Sequence, residues 1–332
     1  MMKDRKLIFS MIMAICMIIG VVAFFKLLAG WDTESMPHII MLVAVMLLMI
    51  LGYCKAHKEL RRLLDDETAK MDRHEEKVNQ YMELLKPSGR DAIRISFADK
   101  GTAPLPAGCS KYGGRPDVPA NFQWPHDNSG RPLSLLLQID CADLTSLDHE
   151  NLLPTSGQLY FFYELSKMRR DGKKNSVRVI YNDKPSSQLH PLDYPVNLGK
   201  HYQLQECRLQ FSQKTSFPCL EEVGHLTHKP FKTKYNFEFE EASDRLEEKY
   251  CPGSEGIGNM LGYAFLIKKP IVKDLSNHVL LLQLDSSEYW EEDDKTAHDL
   301  LLGDYGIIYF YIKREDLLAR RFDRIKFALQ SN

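Results

Sequence analysis

Leu135-Leu-Leu-Gln138-Ile-Asp140 recurs as Leu280-Leu-Leu-Gln283-Leu-Asp285, and this echo decides how the larger part of the chain is read. Beyond each copy a second pair stands: Gly157-Gln-Leu-Tyr160-Phe-Phe-Tyr163 is answered by Gly306-Ile-Ile-Tyr309-Phe-Tyr311. Upstream, Gly113-Gly114 stands about as far from the first copy as Gly262 does from the second. Three ordered matches at similar offsets point to an internal duplication, with units at about 105–165 and 255–313. Each unit reads as a buried strand, a short helix or loop, then an aromatic strand after a glycine turn. The aromatic strands are apolar on both faces, which places them centrally in a sheet. Asp140 and Asp285 end their strands and are placed to cap the short helix or loop of each unit. Gln138 and Gln283 need partners inside, across the interface between the units or in a cleft.

Working outward, Ser110-Lys111-Tyr-Gly113-Gly114-Arg-Pro116-Asp-Val-Pro119, followed by Phe122-Gln-Trp124-Pro125, resembles the signature of the YwqG-like family. The order and spacing of the two repeated strand pairs and of the closing Arg320-Arg-Phe-Asp-Arg-Ile-Lys-Phe327 are similar too, so the resemblance spans residues 93–331. That family is a bacterial domain of unknown function, and the resemblance implies a fold more than an activity. One departure stands out. Family members carry Gly-Tyr-Pro in the second half, whereas here Gly262-Tyr263 is followed by Ala264 and Phe265.

Towards the N-terminus, two uncharged apolar runs, residues 7–25 and 39–51, flank an acidic loop holding Asp32 and Glu34. Each approaches the roughly 20 residues that a membrane-crossing helix needs. Lys3, Arg5 and Lys6 precede the first run, and Lys55, Lys58, Arg61 and Arg62 come after the second. By the excess of positive charge, both termini are expected inside. The competing readings are a cleaved signal peptide for the first run and a buried helix for the second. From residue 55 to 85 there is no Gly or Pro, and His57, Leu60, Leu64, Glu67, Met71, His74, Val78, Tyr81 and Leu85 keep a heptad phase. This stalk reads as a coiled coil joining two chains, as a spacer, or as a helix docked on its own domain.

A net charge of −2 gives no overall preference for nucleic acid. The seven cysteines show no CxxC spacing, which suits reduced thiols. The best site candidate is the loop with Lys111, Gly113, Gly114, Pro116 and Trp124: glycines admit close approach, prolines stiffen, the lysine carries charge and the tryptophan can wall a pocket. The same loop also reads as a rigid element anchored to the core by Trp124. Gln138, Asp140, Gln283 and Asp285 are the polar groups of a cleft between the units, and Asp304 leads into the second aromatic strand. The acidic run Glu288 to Asp299 offers oxygen ligands without a calcium-loop pattern. His225 and His228, with Cys207 and Cys219, match no zinc spacing. Lys167, Arg169, Arg170, Lys173 and Lys174 read as a solvated basic loop, and Cys109 is the one thiol beside the signature loop.

The expectation is thus an α+β protein: two N-terminal transmembrane helices in residues 1–54, a helical stalk in 55–87, and an internally duplicated, β-rich domain in 88–332. It places the chain in the bacterial inner (cytoplasmic) membrane as a multi-pass protein with a cytoplasmic domain. The expected function is recognition of a protein or small ligand. A hydrolase or transferase using a cleft between the repeats and an oligomeric scaffold are the alternatives. The expected partners are the bilayer, a protein and a second copy through the stalk. No metal, cofactor or nucleic acid is implied.

Overall fold

In the computed structural model, residues 18–20, 22, 25–26, 29, 36–98, 104–165, 176–219, 222, 237–250, 256–268, 270–272, 274–286, 300, 302 and 306–331 are described. The chain divides into two compact units, Met1–Glu76 and Lys77–Asn332.

One helix, α1 (Met36–Leu85), carries the second apolar run and the heptad stretch without a break. Pro37 falls in its first turn, where a missing N–H costs nothing, and Pro87 lies just beyond its end. The two expected transmembrane helices are overturned. Among the described residues no helix is long and apolar enough to cross a membrane. The strictly apolar part of the second run, residues 39–51, extends only about 20 Å at 1.5 Å per residue, against a hydrocarbon core of about 30 Å. The first run lies almost wholly outside the described residues. The multi-pass inner-membrane placement and its orientation fall with the spans. The expected α+β protein with two transmembrane helices gives way to one long N-terminal helix followed by a large antiparallel β domain.

The last turns of α1 belong to the C-terminal unit. Val78 and Leu85 are fully buried, and the Tyr81 ring meets Phe239 edge-on at 5.5 Å on α2 (Phe237–Tyr250). Lys77 pairs with Glu238 at 3.0 Å. The final heptad positions therefore serve packing within this unit.

The sheet is built from β1 (Arg90–Phe97), β2 (Lys111–Tyr112), β4 (Ser134–Asp140), β5 (Gln158–Tyr163), β6 (Val177–Asn182), β8 (Cys207–Ser216), β9 (Gly258–Leu261), β10 (His278–Asp285), β11 (Ile307–Lys313) and β12 (Lys326–Gln330). Their order is β12-β11-β10-β9-β1-β8-β2-β4-β5-β6, every pair antiparallel. A small ribbon joins β3 (Asp117–Val118) to β7 (His190–Pro191). About the central β1–β8 pair, the four strands β2-β4-β5-β6 correspond to β9-β10-β11-β12. The register agrees in detail: Gln138 lies opposite Tyr160 and Gln283 opposite Tyr309. Each pair carries a shift at the same place, between Leu135 and Leu137 and between Leu280 and Leu282, as a β-bulge produces.

Although β5 and β11 each stand second from an edge, Phe161 meets Phe310 at 5.4 Å and Tyr163 meets Phe327 at 5.2 Å. The two arms therefore fold their inner faces together over a core that includes Leu137, Ile139, Leu282, Leu284 and Ile308. Their outer faces are covered separately. Val118, Trp124, Leu133 and Leu198 pack over Leu135, Tyr160 and Phe162, whereas Ala264 and Val272 pack over Leu280, Tyr309 and Tyr311.

Candidate functional site

Two glutamines organise the two outer faces in the same way. Asp117 donates its N–H to Gln138 Oε1 at 2.7 Å and accepts from the Tyr160 hydroxyl at 2.6 Å. In the other half, Phe265 donates to Gln283 Oε1 at 2.8 Å and accepts from the Tyr309 hydroxyl at 2.7 Å. Each buried glutamine thus receives a covering loop whose next strand supplies a tyrosine. Of the partners expected for them, inside, across the interface or in a cleft, each glutamine finds its own inside its half.

The halves part company at the side chain held there. Asp117 is buried, and its Oδ2 collects three donors: Lys111 Nζ at 2.9 Å, Gln138 Nε2 at 3.0 Å and Gly108 N at 3.0 Å. Lys111 is itself buried and also meets Glu206 Oε2 at 2.9 Å. A lysine in a sheet interior is costly unless paired and hydrogen-bonded, and here two carboxylates satisfy it. In the second half Asn259 stands for Lys111 by strand register, and Phe265 stands for Asp117 by its hydrogen bond to the glutamine.

This buried network pins one stretch of chain, residues 106–110. Gly108 donates to Asp117, Gln138 Nε2 donates to the Cys109 carbonyl at 3.0 Å, and Gln158 Nε2 donates to the Gly108 carbonyl at 2.9 Å. The pinned stretch is one wall of a cleft of about 430 Å³, whose other lining includes Asp140, Asp143, Ser186 and, on β8, Arg208 and Gln210. That volume lies within the range of small-molecule sites. Asp140 caps the turn Cys141–Leu144, its carboxylate accepting from Ala142 N at 3.1 Å. Burial raises the Asp140 carboxyl above the usual carboxylate range, opposed by the Ala142 hydrogen bond, and the neighbouring Asp143 pushes the same way as burial. Ser110 donates its hydroxyl to Asp143 at 2.6 Å and accepts from Asp140 N at 2.9 Å, so its one proton is committed to Asp143. Burial also raises the Cys109 thiol, which keeps it protonated near neutral pH and a poor nucleophile.

The candidate residues therefore separate. Lys111 and Gln138 come together beneath the cleft wall, and Asp140 lines the cleft itself. Gly113 and Gly114 do not cradle an anion: their N–H groups bond to the carbonyls of Leu136 and Leu204 at 2.9 Å. Both have positive φ, and a Cβ on Gly113 would stand 2.7 Å from the Gln205 carbonyl, so the glycines let residues 204–206 approach. The Pro116 carbonyl accepts from Leu192, tying the loop to β7. Trp124 is a core anchor: it is buried, and its Nε1 donates to the Leu133 carbonyl at 2.8 Å. Gln283 and Asp285 bond each other at 2.9 Å in the second half. Burial lifts the Asp285 carboxyl to about 6 against the Gln283 hydrogen bond.

Asp304, the acidic run 288–299, His225, His228 and the basic loop 167–174 lie outside the described residues. Among the described residues no group of three or more His, Cys, Asp or Glu side chains is arranged to hold a metal ion. Asp143, Ser186 and Arg208 were not singled out by sequence reasoning. Arg208 has a local signal, the alternation of buried Cys207 and Leu209 with exposed Arg208 and Gln210. Asp143 and Ser186 have none, because only the tertiary fold brings them to residue 110.

No curated relative matches the chain. The family described as a domain of unknown function, DUF1963, matches residues 110–331, from the serine at the cleft to the end of β12. That is well over half of the sequence, and the chain belongs to the DUF1963 family.

Proposed function

We propose that this domain is a recognition module that binds a small polar ligand in the cleft between residues 106–110, the Asp140–Asp143 turn and β8. The observation that carries the reading is the buried Lys111–Asp117–Gln138 network, which spends a costly charge in the interior to hold one cleft wall in place. Preorganised walls with a few convergent polar groups are the mark of a binding site. Binding is favoured over hydrolysis or transfer because Ser110 is bonded in both directions and Cys109 is held as a thiol. The finer resemblance to the YwqG-like family, resting on the ordered motifs of residues 110–125 and the two strand pairs, belongs to the same proposal.

The test is thermal denaturation of the full chain against a panel of amino acids, short peptides, sugars and nucleotides. A ligand at 100 times its Kd adds about 2.7 kcal/mol to stability. A raised Tm in the parent protein that disappears in Arg208→Ala is expected. A Tm shift left intact by Arg208→Ala and by Asp143→Asn places the ligand elsewhere and ends the reading. Chemical conversion of the stabilising compound moves the case to the enzyme.

A further inference from the structure

Resting on the reading of the cleft as a ligand site, we infer that its ligand is dipolar, with an anionic group for Arg208 and a cationic group for the Asp140–Asp143 pair, as in a short peptide or a free amino acid. Both signs of charge line this one cleft, yet they do not neutralise each other. Among the described residues Arg208 makes no ion pair, and neither Asp140 nor Asp143 has a cationic partner. The bonds these carboxylates do make come from neutral donors, the Ser110 hydroxyl and the Ala142 N–H.

Arg208 lies directly opposite Lys111 across the β2–β8 pair, so two cations stand side by side on neighbouring strands. Both carboxylates near Lys111, from Asp117 and Glu206, are already engaged by it, and among the described residues no carboxylate pairs with Arg208. Asp140 and Asp143 reinforce each other's negative field, and burial raises Asp140 against the Ala142 hydrogen bond. The capped turn Cys141–Leu144 and the pinned stretch 106–110 fix the walls beside these charges. A ligand with one charge satisfies one sign and leaves the other desolvated, at a cost comparable to the gain. A ligand bearing both charges satisfies each sign with charge-assisted hydrogen bonds. The volume of about 430 Å³ accommodates a molecule of that size.

The test compares three probes of nearly equal shape by calorimetric titration of the full chain: glycylglycine, N-acetylglycylglycine and glycylglycinamide. Glycylglycine is expected to bind at least tenfold tighter than either singly charged analogue. Arg208→Gln should erase its advantage over the amide, and Asp143→Asn its advantage over the acetylated form. Arg208→Lys, which keeps the charge, should restore part of the affinity and so separates charge from misfolding. Equal binding of a singly charged analogue, or of an uncharged polyol alone, overturns the dipolar inference and leaves the small-ligand reading standing. Failure of every probe and of the wider polar panel to produce heat or a Tm shift overturns both.

Discussion

The two halves of the sheet share a backbone arrangement and differ in what it holds. In the first, Gln138 and Tyr160 grip a loop that presents Asp117 to the buried Lys111. In the second, Gln283 and Tyr309 grip the corresponding loop, but the residue presented is Phe265, 68% exposed, and Asn259 stands where the lysine would be. The second half keeps the strand order, the bulge and the glutamine–tyrosine clasp, and among the described residues no ion pair stands at that clasp. The ion pair of the first half is therefore not what makes such a half fold. Its distinctive effect is to fix residues 106–110, where the cleft opens.

The largest effect that tests this contrast is at the gripped residue itself. Asp117→Ala leaves the Lys111 ammonium buried with only the partly exposed Glu206, and should lower stability by roughly 3–5 kcal/mol. Phe265→Ala should stay within about 0.5 kcal/mol. Chemical denaturation measures both, and equal losses would break the comparison. Next is Gly113→Ala, which sets a Cβ against the Gln205 carbonyl at positive φ and should cost about 2 kcal/mol. The equivalent position in the second half is already occupied by Leu261 at φ 62°, so the glycine requirement belongs to the crowding by residues 204–206.

A smaller effect concerns pH. The Asp285 carboxyl in the folded protein is at about 6, above the unfolded value of about 3.9. The folded state therefore holds its proton more tightly, and stability should fall as pH rises from about 4 to about 6, then level off. Asp285→Asn should remove that slope and make the protein about 1 kcal/mol more stable than the parent at pH 8, with no difference near pH 4. The gain is smaller than the full shift implies because Asp285 is only partly buried and water screens its charge. Parallel denaturant titrations at the two pH values check it, and an unchanged slope would detach Asp285 from the trend. Smallest of all, the double substitution Lys111→Met with Asp117→Leu replaces the pair by apolar groups. It should leave global stability within about 1 kcal/mol of the parent. A loss as large as that of Asp117→Ala alone would show that the network is needed for the fold.

Strand pairs β4–β5 and β10–β11 are legible in the sequence because each combines an apolar run, a glycine and an aromatic run within a short stretch. The flanking strands β2 and β9 are not, since two and four residues show no periodicity. The long helix misled in the opposite direction. Its apolar opening and its charged heptads look like separate elements, yet Gly52 does not end a helix that is otherwise free of breakers up to Leu85. At the site, Lys111 and Gln138 were visible as polar residues beside an apolar strand. Their meaning was not, because Glu206 lies 95 residues from Lys111 and the loop they pin has no motif of its own. Trp124 was open to two readings, and its hydrogen bond to Leu133 decides for the core anchor.

The most direct measurement is amide hydrogen exchange along the full chain, comparing the parent with the Lys111→Met, Asp117→Leu double variant. Residues 106–110, Gly108 above all, should exchange slowly in the parent and much faster in the variant, while residues 258–262 and the strands of both arms stay unchanged. Unaltered protection at Gly108 would mean that the buried charges do not hold the cleft wall, and would contradict the role assigned to them.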